Sequence, residues 1–236
     1  MSKQQEIIAM FDDIAGSYDL TNRVMSCGID ISWRKIACKK AFQNLTKTKH
    51  LEIADIACGT GDMINHWKKN ASKEGVEIQS IVGLDPSEGM LKVARKKMPE
   101  VSFMQCEATK LSLENESKDI LSIAYGIRNV VEREKALSEF ARVLKKDGIL
   151  VILEFTKCEN PSLMERLMGF YTKNILPFVG GILSRNYRAY RYLPDSIEEF
   201  LTTDKLNFEL SKVGFKTLCT KSFSVGVCTL FIAKKL

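Results

Sequence analysis

Histidine is nearly missing from this sequence: His50 and His66 are the only two in 236 residues. Both stand in polar or helical surroundings without a second ligand at metal spacing, which argues against a zinc or iron centre, and no metal is expected. Cysteine is present but unpatterned. Cys27, Cys38, Cys58, Cys106, Cys158, Cys219 and Cys228 lie far apart with no Cys-x-x-Cys pair. Neither a disulfide framework nor a thiolate cluster is therefore expected, only reduced, mostly packed thiols. No stretch reaches the ~20 apolar residues of a membrane span, and Met1-Ser2-Lys3-Gln4-Gln5-Glu6 lacks the apolar run of a secretory signal. A cytoplasmic protein is the expectation. Repeats, low-complexity tracts and Gly/Ser linkers are absent too, which points to a single domain with terminal additions.

What is there is an ordinary globular composition, 45% hydrophobic and 27% charged, enough for one substantial core. The formal charge of +6 is spread over segments such as Lys92, Lys96, Lys97, Lys145 and Lys146, as on solvated helix faces. The densest group, Arg185, Arg188 and Arg191 among Tyr187, Tyr190 and Tyr192, is compatible with an acidic membrane surface or a nucleic acid. Nucleic acid is not expected as a partner.

Two periodicities alternate through the middle of the chain. Apolar runs at 51–57, 78–84, 101–105, 119–125 and 148–155 have strand length. The stretches 62–70, 88–97 and 132–145 repeat apolar residues three and four apart, as Met90, Leu91, Ala94 and Met98 do. Near-continuous runs such as Ile149-Leu150-Val151-Ile152-Leu153 suit strands covered on both faces, hence a mainly parallel sheet with right-handed crossovers. Residues 1–45 read as helices before the first strand, and 162–176 and 195–213 as helices after the fifth. The tail differs: Phe215 to Lys221 and Val225 to Ala233 are β-rich runs joined by a few residues, so they form an antiparallel hairpin. The fold expected is α/β and Rossmann-like, with helices on both faces of the sheet, and that ending suits methyltransferases better than dehydrogenases.

Strand one ends in Asp55-Ile56-Ala57-Cys58-Gly59-Thr60-Gly61-Asp62. Gly59 and Gly61 allow a sharp turn and close approach of backbone to a ligand, though two glycines alone fit an unliganded turn equally well. The third glycine of a dinucleotide fingerprint is missing, since Ile64 stands there. Asp62 also puts negative charge at the helix N-terminus where a pyrophosphate would sit. S-adenosylmethionine has no phosphate and carries an ammonium, so an acidic rim suits it. Asp85 ends strand two, 24 residues beyond Gly61, where a carboxylate accepts both ribose hydroxyls. The bland alternative, a helix cap, falls to Ser87. Glu107 and Ala108 follow strand three, where an adenine would lie.

Strand four runs out into Tyr125-Gly126-Ile127-Arg128-Asn129-Val130. The carboxyl ends of strands carry the chemistry in open α/β sheets, so Tyr125, Arg128 and Asn129 either face the reacting groups or cap the next helix. The Asn-Pro-Pro-Tyr turn of amino-directed nucleic-acid methyltransferases is absent, which argues against a base amine as acceptor.

Four blocks in order make the chain resemble the ubiquinone/menaquinone biosynthesis C-methyltransferase family over nearly its whole length. They are Phe11-Asp12-Asp13-Ile14-Ala15 with Tyr18-Asp19-Leu20-Thr21-Asn22, the turn Asp55 to Asp62, the Tyr125 to Val130 segment, and Arg142-Val143-Leu144-Lys145 leading to Leu153-Glu154-Phe155. The resemblance implies methyl transfer from S-adenosylmethionine, leaving S-adenosylhomocysteine, to a ring carbon of a polyprenylated quinol. It implies Thr60, Asp85, Glu107 and Ala108 as cofactor positions. The chain departs from the family pattern at Thr21, Asp30, Cys58, Ala124 and the Lys146-Asp147 pair, where methionine, histidine, glycine, serine and Pro-Gly are usual.

A quinol becomes a carbon nucleophile when a hydroxyl is deprotonated, and Arg128 is the candidate to stabilise that anion, with Asn129 and Tyr18 as hydrogen-bond partners. The bland alternative for Arg128 is a surface ion pair with Glu132. Asp19 is the candidate base, while Asp55 orders the glycine turn. Replacing Arg128 with alanine is expected to abolish turnover and leave cofactor affinity nearly intact. Residues 1–45 are expected to form a substrate-side helical cap on the 46–236 core, with a helical insertion at about 160–200. The stretch from Leu163 to Val179 has apolar residues beyond one helix face, which suits a lipid-facing lid with peripheral membrane contact, or a homodimer contact.

Overall fold

The computed structural model describes residues 1–159, 161–184 and 186–236, with side chains for all of these except 165, 172, 182–184 and 188. Arg185 and the Arg188 side chain, two members of the basic cluster, therefore lie outside the described residues.

The chain opens with three helices, α1 (Lys3–Ile14), α2 (Tyr18–Met25) and α3 (Ile29–Gln43). A βα alternation follows: β1 (Leu51–Ile56), α4 (Asp62–Ala71), β2 (Ile78–Asp85), α5 (Glu88–Lys97), β3 (Ser102–Gln105), β4 (Lys118–Ala124), α6 (Arg133–Val143) and β5 (Leu144–Glu154). Four helices, α7 (Leu163–Phe170), α8 (Leu176–Ser184), α9 (Tyr187–Glu199) and α10 (Thr203–Lys212), lead to the strands β6 (Phe215–Phe223) and β7 (Cys228–Lys235). The seven strands run in the order β3-β2-β1-β4-β5-β7-β6. Pairings through β5 are parallel, and β7 joins antiparallel to both β5 and β6. The connections reverse between β1 and β4, and ligands of open α/β sheets bind at such a switch point.

Burial explains the near-continuous apolar strands. Ile56, Leu84, Ile123 and Ile152 pack with Leu137, Phe140 and Leu206 on one face, while Ile53, Ile120, Val151 and Leu230 pack with Trp67 and Phe42 on the other. Ser87 caps α5, its hydroxyl accepting from the Met90 N–H at 3.1 Å. Among the described residues no helix is long and apolar enough to cross a membrane.

Four expectations need correction. β5 begins at Leu144, not 148, because Leu144 already pairs with Lys118 across an irregular register. The expected helix at 162–176 is instead α7, a π-helical segment at Tyr171–Ile175 and α8. Finally, α9 starts eight residues earlier than the sequence suggests and runs through Pro194. Buried Ala189, Tyr190, Pro194 and Ser196 anchor that helix, which outweighs the single backbone bond a proline removes. The thiols are also less packed than expected: all seven are free, and only Cys38, Cys58 and Cys228 are buried.

Candidate active site

At the carboxyl ends of β1 and β4 the backbone is bent hard. Ala57 and Tyr125, which follow β1 and β4, take φ of 49° and 60°. Such left-handed angles are rare for residues with a side chain and gather at functional sites. Gly126 shows why the loops need each other: a Cβ there would come within 2.6 Å of the Ala57 Cβ. Gly59, at φ 54°, has no heavy atom within 4 Å of where its Cβ would project, so bare backbone faces open space.

That space is a cavity lined by Ala57, Gly59, Asp85, Glu107, Ala108, Ala124, Tyr125 and Asn129, and closed by Ile7, Phe11 and Tyr18 of the N-terminal helices. Asp85 is 6% exposed. One carboxylate oxygen accepts the Gly59 N–H at 2.7 Å and the other the Ser87 N–H at 2.9 Å. Burial lifts its pKa to about 6 despite those two bonds, so further hydroxyl donors are what this carboxylate lacks. A buried acceptor beside open glycine backbone, with Glu107 and Ala108 at the end of β3, fits an uncharged ribose and base and offers no cation to a phosphate. The residues therefore fit S-adenosylmethionine.

Three expected cofactor residues lie behind this wall. Gly61, at φ 88°, starts α4. Thr60 is buried and its hydroxyl donates to Asp19. Asp55 is buried in the helix layer, where it accepts the Ser122 hydroxyl at 2.6 Å, and Ser122 in turn accepts the Trp67 Nε1–H at 3.0 Å. Burial raises Asp55 to about 7. Cys58 packs with Ile64, Leu91 and Met98, away from the cavity, whereas Ala124 lines it.

Asp19 lies outside the lining as well. It pairs with Lys97 at 2.7 Å, and Lys97 also reaches Asp62 at 3.2 Å. Arg23 joins this group by bridging Asp62 at 3.1 Å and Asp30 at 2.7 Å. The result is a strap tying α2 to the glycine turn. Nearby, Asp12 accepts the Ser87 hydroxyl and the Gly89 N–H at 2.6 and 2.8 Å, fixing α1 to the start of α5. A role for Asp12 is visible only in three dimensions, since its partners lie more than seventy residues away.

A second cavity of about 350 Å³ adjoins the first, sharing Phe11, Tyr18 and Tyr125 with it. Its walls are mostly apolar, among them Met10, Ile14, Trp33, Phe155, Met168 and Leu176, and its charged residues among those described are Asp30, Arg34 and Arg128. Arg128 does not pair with Glu132. Its Nη1 donates to Glu154 at 2.6 Å and to the Tyr125 carbonyl at 2.7 Å, and its Nε to Ser196 at 3.3 Å. Glu154 is fully buried. Burial raises its pKa, opposed by Arg128 and by backbone N–H donors. The sequence carried a signal for this pair: a lone carboxylate closing the buried run Ile149 to Leu153 must find a cation.

Asn129 sits between Tyr125 and Tyr192, donating to the Tyr125 carbonyl at 3.3 Å and accepting the Tyr192 hydroxyl at 3.1 Å. Burial raises the Tyr18 hydroxyl, while the charges of Arg128 and Arg34 pull it down. Neither Arg128 nor Asn129 caps α6, whose N-cap is Glu132 without a side-chain bond.

A seven-stranded Rossmann-like sheet with an antiparallel hairpin, a glycine turn and an acidic residue at the end of β2 defines a class I S-adenosylmethionine-dependent methyltransferase. Solved structures bear out the fold. A methyltransferase from Thermotoga maritima superposes with a TM-score of 0.60 at 20% identity, over 98% of this chain and 100% of that one. One from Aquifex aeolicus gives 0.57 at 17% identity, over 84% and 89%. Residues 1–235 match the ubiE/COQ5 methyltransferase family, and the chain belongs to it. The ubiquinone/menaquinone biosynthesis C-methyltransferase UbiE of Campylobacter jejuni strain 81-176 is 57% identical over 236 residues, all of both chains. The demethylmenaquinone methyltransferase of Bacteroides fragilis strain ATCC 25285 is 36% identical over 239 residues, 99% of this chain and 94% of that one.

Proposed function

We propose that this protein methylates a ring carbon of a polyprenylated quinol, demethylmenaquinol or a methoxy-polyprenyl-benzoquinol, in respiratory quinone biosynthesis. One observation carries the reading. A cavity floored by a buried carboxylate and an apolar cavity edged by arginine share the Phe11, Tyr18 and Tyr125 wall, as a polar donor and a lipid acceptor require. Family membership and the names of the relatives support the same substrate class.

S-adenosylmethionine in the first cavity would supply an electrophilic sulfonium methyl. Asp85 binds the ribose hydroxyls, Gly59 lets the backbone approach, and Glu107 and Ala108 border the base. Arg128, held rigid by Glu154, Ser196 and the Tyr125 carbonyl, stabilises negative charge on the quinol oxygen next to the reacting carbon, which pushes electron density onto that carbon; the hydroxyl proton, and the ring hydrogen that the methyl replaces, leave to water. A cation already fixed by its neighbours loses little freedom in doing so. Asn129 and Tyr18 line the border between donor and acceptor. Asp19, bound to Lys97 and Thr60 outside both cavities, acts as a latch on α2 in place of the proton acceptor.

Residues 1–45 are the substrate-side cap in this reading, and helices α7 to α9 are the insertion that borders it. α7, α8 and the π segment turn Met168, Tyr171 and Leu176 into the second cavity and leave Leu163, Met164, Leu167, Phe170 and Phe178 exposed. An apolar surface on the same helices suits contact with the membrane that holds an isoprenoid substrate. The test is the quinone pool of cells without this chain: a demethylated quinone, identified by mass spectrometry, should replace the methylated one. An unchanged pool contradicts the assignment.

A further inference from the structure

The second cavity contains a charge that the chemistry above leaves unused. Arg34 on α3 lines it, with its side chain 9% exposed. Its Nη1 donates to Asp30, and its guanidinium carbon lies 5.0 Å from the centre of the Tyr125 ring. Its Nε is buried and has no hydrogen-bond partner among the described residues. Asp30 engages only one nitrogen of this guanidinium, so the side chain keeps further N–H donors at the cavity wall for a ligand acceptor.

The stacking shows where that acceptor sits. Tyr125 lies 5.0 Å from Phe155, centre to centre, and Arg128 lies 5.3 Å from the Phe155 ring. Arg34 and Arg128 thus flank opposite ends of one aromatic pair along the wall of an otherwise apolar space. A 1,4-quinol presents two oxygens on opposite sides of its ring. Only the oxygen adjacent to the reacting carbon feeds charge onto it, and the other activates its own neighbours, one of which already carries the tail. Arg128 adjoins Tyr125 and Asn129, which line the donor cavity, while Arg34 comes from the far helix and does not line that cavity.

We propose that Arg34 binds the second oxygen of the quinol, the one not used to activate the reacting carbon, so that a two-arginine frame sets which ring carbon meets the methyl donor. This rests on the quinol reading above. Asp30 is the positioning residue: it holds Arg34, and is held by Arg23 at 2.7 and 2.8 Å and by the Ser26 hydroxyl at 2.6 Å. Removing the Arg34 charge therefore leaves Asp30 partnered, and the variant has reason to fold.

The experiment compares a demethylated, prenylated 1,4-naphthoquinol, kept reduced with dithionite, with the matching 3-prenyl-1-naphthol. The naphthol keeps the hydroxyl beside the reacting carbon and lacks the second oxygen. Arg34→Gln should lower kcat/KM for the quinol roughly 10- to 100-fold, the size of a lost charged hydrogen bond, and for the naphthol no more than a few-fold. Arg34→Lys should recover part of the quinol rate. Binding without methyl transfer is read from quenching of Trp33, which lines the same cavity, and should show the same selectivity. Equal losses on both compounds, in rate and in binding, overturn the proposal. Selective binding by a wild-type protein that methylates neither compound upholds the second-oxygen site and overturns the quinol reaction instead.

Discussion

Arg128→Ala tests the site and the fold together, because the residue proposed to face the substrate is also the counter-ion of a fully buried carboxylate. The Arg128 side chain is 7% exposed and Glu154 is inaccessible. Removing one partner of such a pair costs about 3–5 kcal/mol through the charge left behind. In a chain of 236 residues that lowers Tm by roughly 6–20 °C. The pH dependence has a definite sign. Without Arg128 the Glu154 carboxyl is raised further above its unfolded value, so the loss is small well below the ordinary glutamate pKa, where the group is protonated in both states, and grows as the pH rises through and above it. Arg128→Met combined with Glu154→Gln removes the stranded charge, and most of the lost stability should return. Turnover should not. The assays are thermal unfolding between pH 5 and 8, methyl transfer and calorimetric binding of S-adenosylmethionine to each variant. Recovery of turnover in the double variant would reduce Arg128 to a structural role, and an unchanged Tm in Arg128→Ala would refute the buried pair.

Asp85 binds hydroxyl donors best when ionised, so cofactor affinity measured by calorimetry should rise with pH up to about 6 and level off above it; Asp85→Asn should weaken binding roughly 10- to 100-fold and abolish that dependence. Asp55 is raised to about 7, so the folded protein binds its proton more tightly than the unfolded chain does, and stability is lost as pH climbs from about 4 to 7. Asp55→Asn should flatten that part of the Tm profile while depressed carboxyls such as Asp119 and Asp62 still act at lower pH. Joint replacement of Leu167, Phe170 and Phe178 by serine should reduce co-sedimentation with anionic vesicles without changing Tm, because all three are more than half exposed; retained sedimentation contradicts the membrane face.

The sheet was legible because buried strands declare themselves: Ile149 to Leu153 has no polar residue and is buried throughout, as a strand covered on both faces must be. Asp85 and Gly59 were legible for the same local reason, each required by the turn it ends or begins. The ion pairs were not. Arg128 and Glu154 are 26 residues apart, Asp19 and Thr60 are 41, and Arg23 and Asp62 are 39. Spacing along a chain says nothing about partners brought together only when the helical cap closes on the sheet. Thr60 and Asp55 fall within the right motif, yet strand alternation and the turn direct their side chains behind the cavity wall. Asp30 and Arg34, at helical spacing of four, carried a readable sign, since two opposite charges on a face otherwise occupied by Trp33, Ala37 and Cys38 have to meet.

The most direct measurement is the fate of the methyl group itself. S-adenosylmethionine labelled with carbon-13 at that methyl is incubated with the protein and a demethylated, prenylated quinol in detergent, and the product is examined by carbon-13 NMR. The label should appear on the ring carbon beside a hydroxyl. A label on a quinol oxygen, or no transfer by protein that is folded and binds the cofactor, would contradict the proposed chemistry.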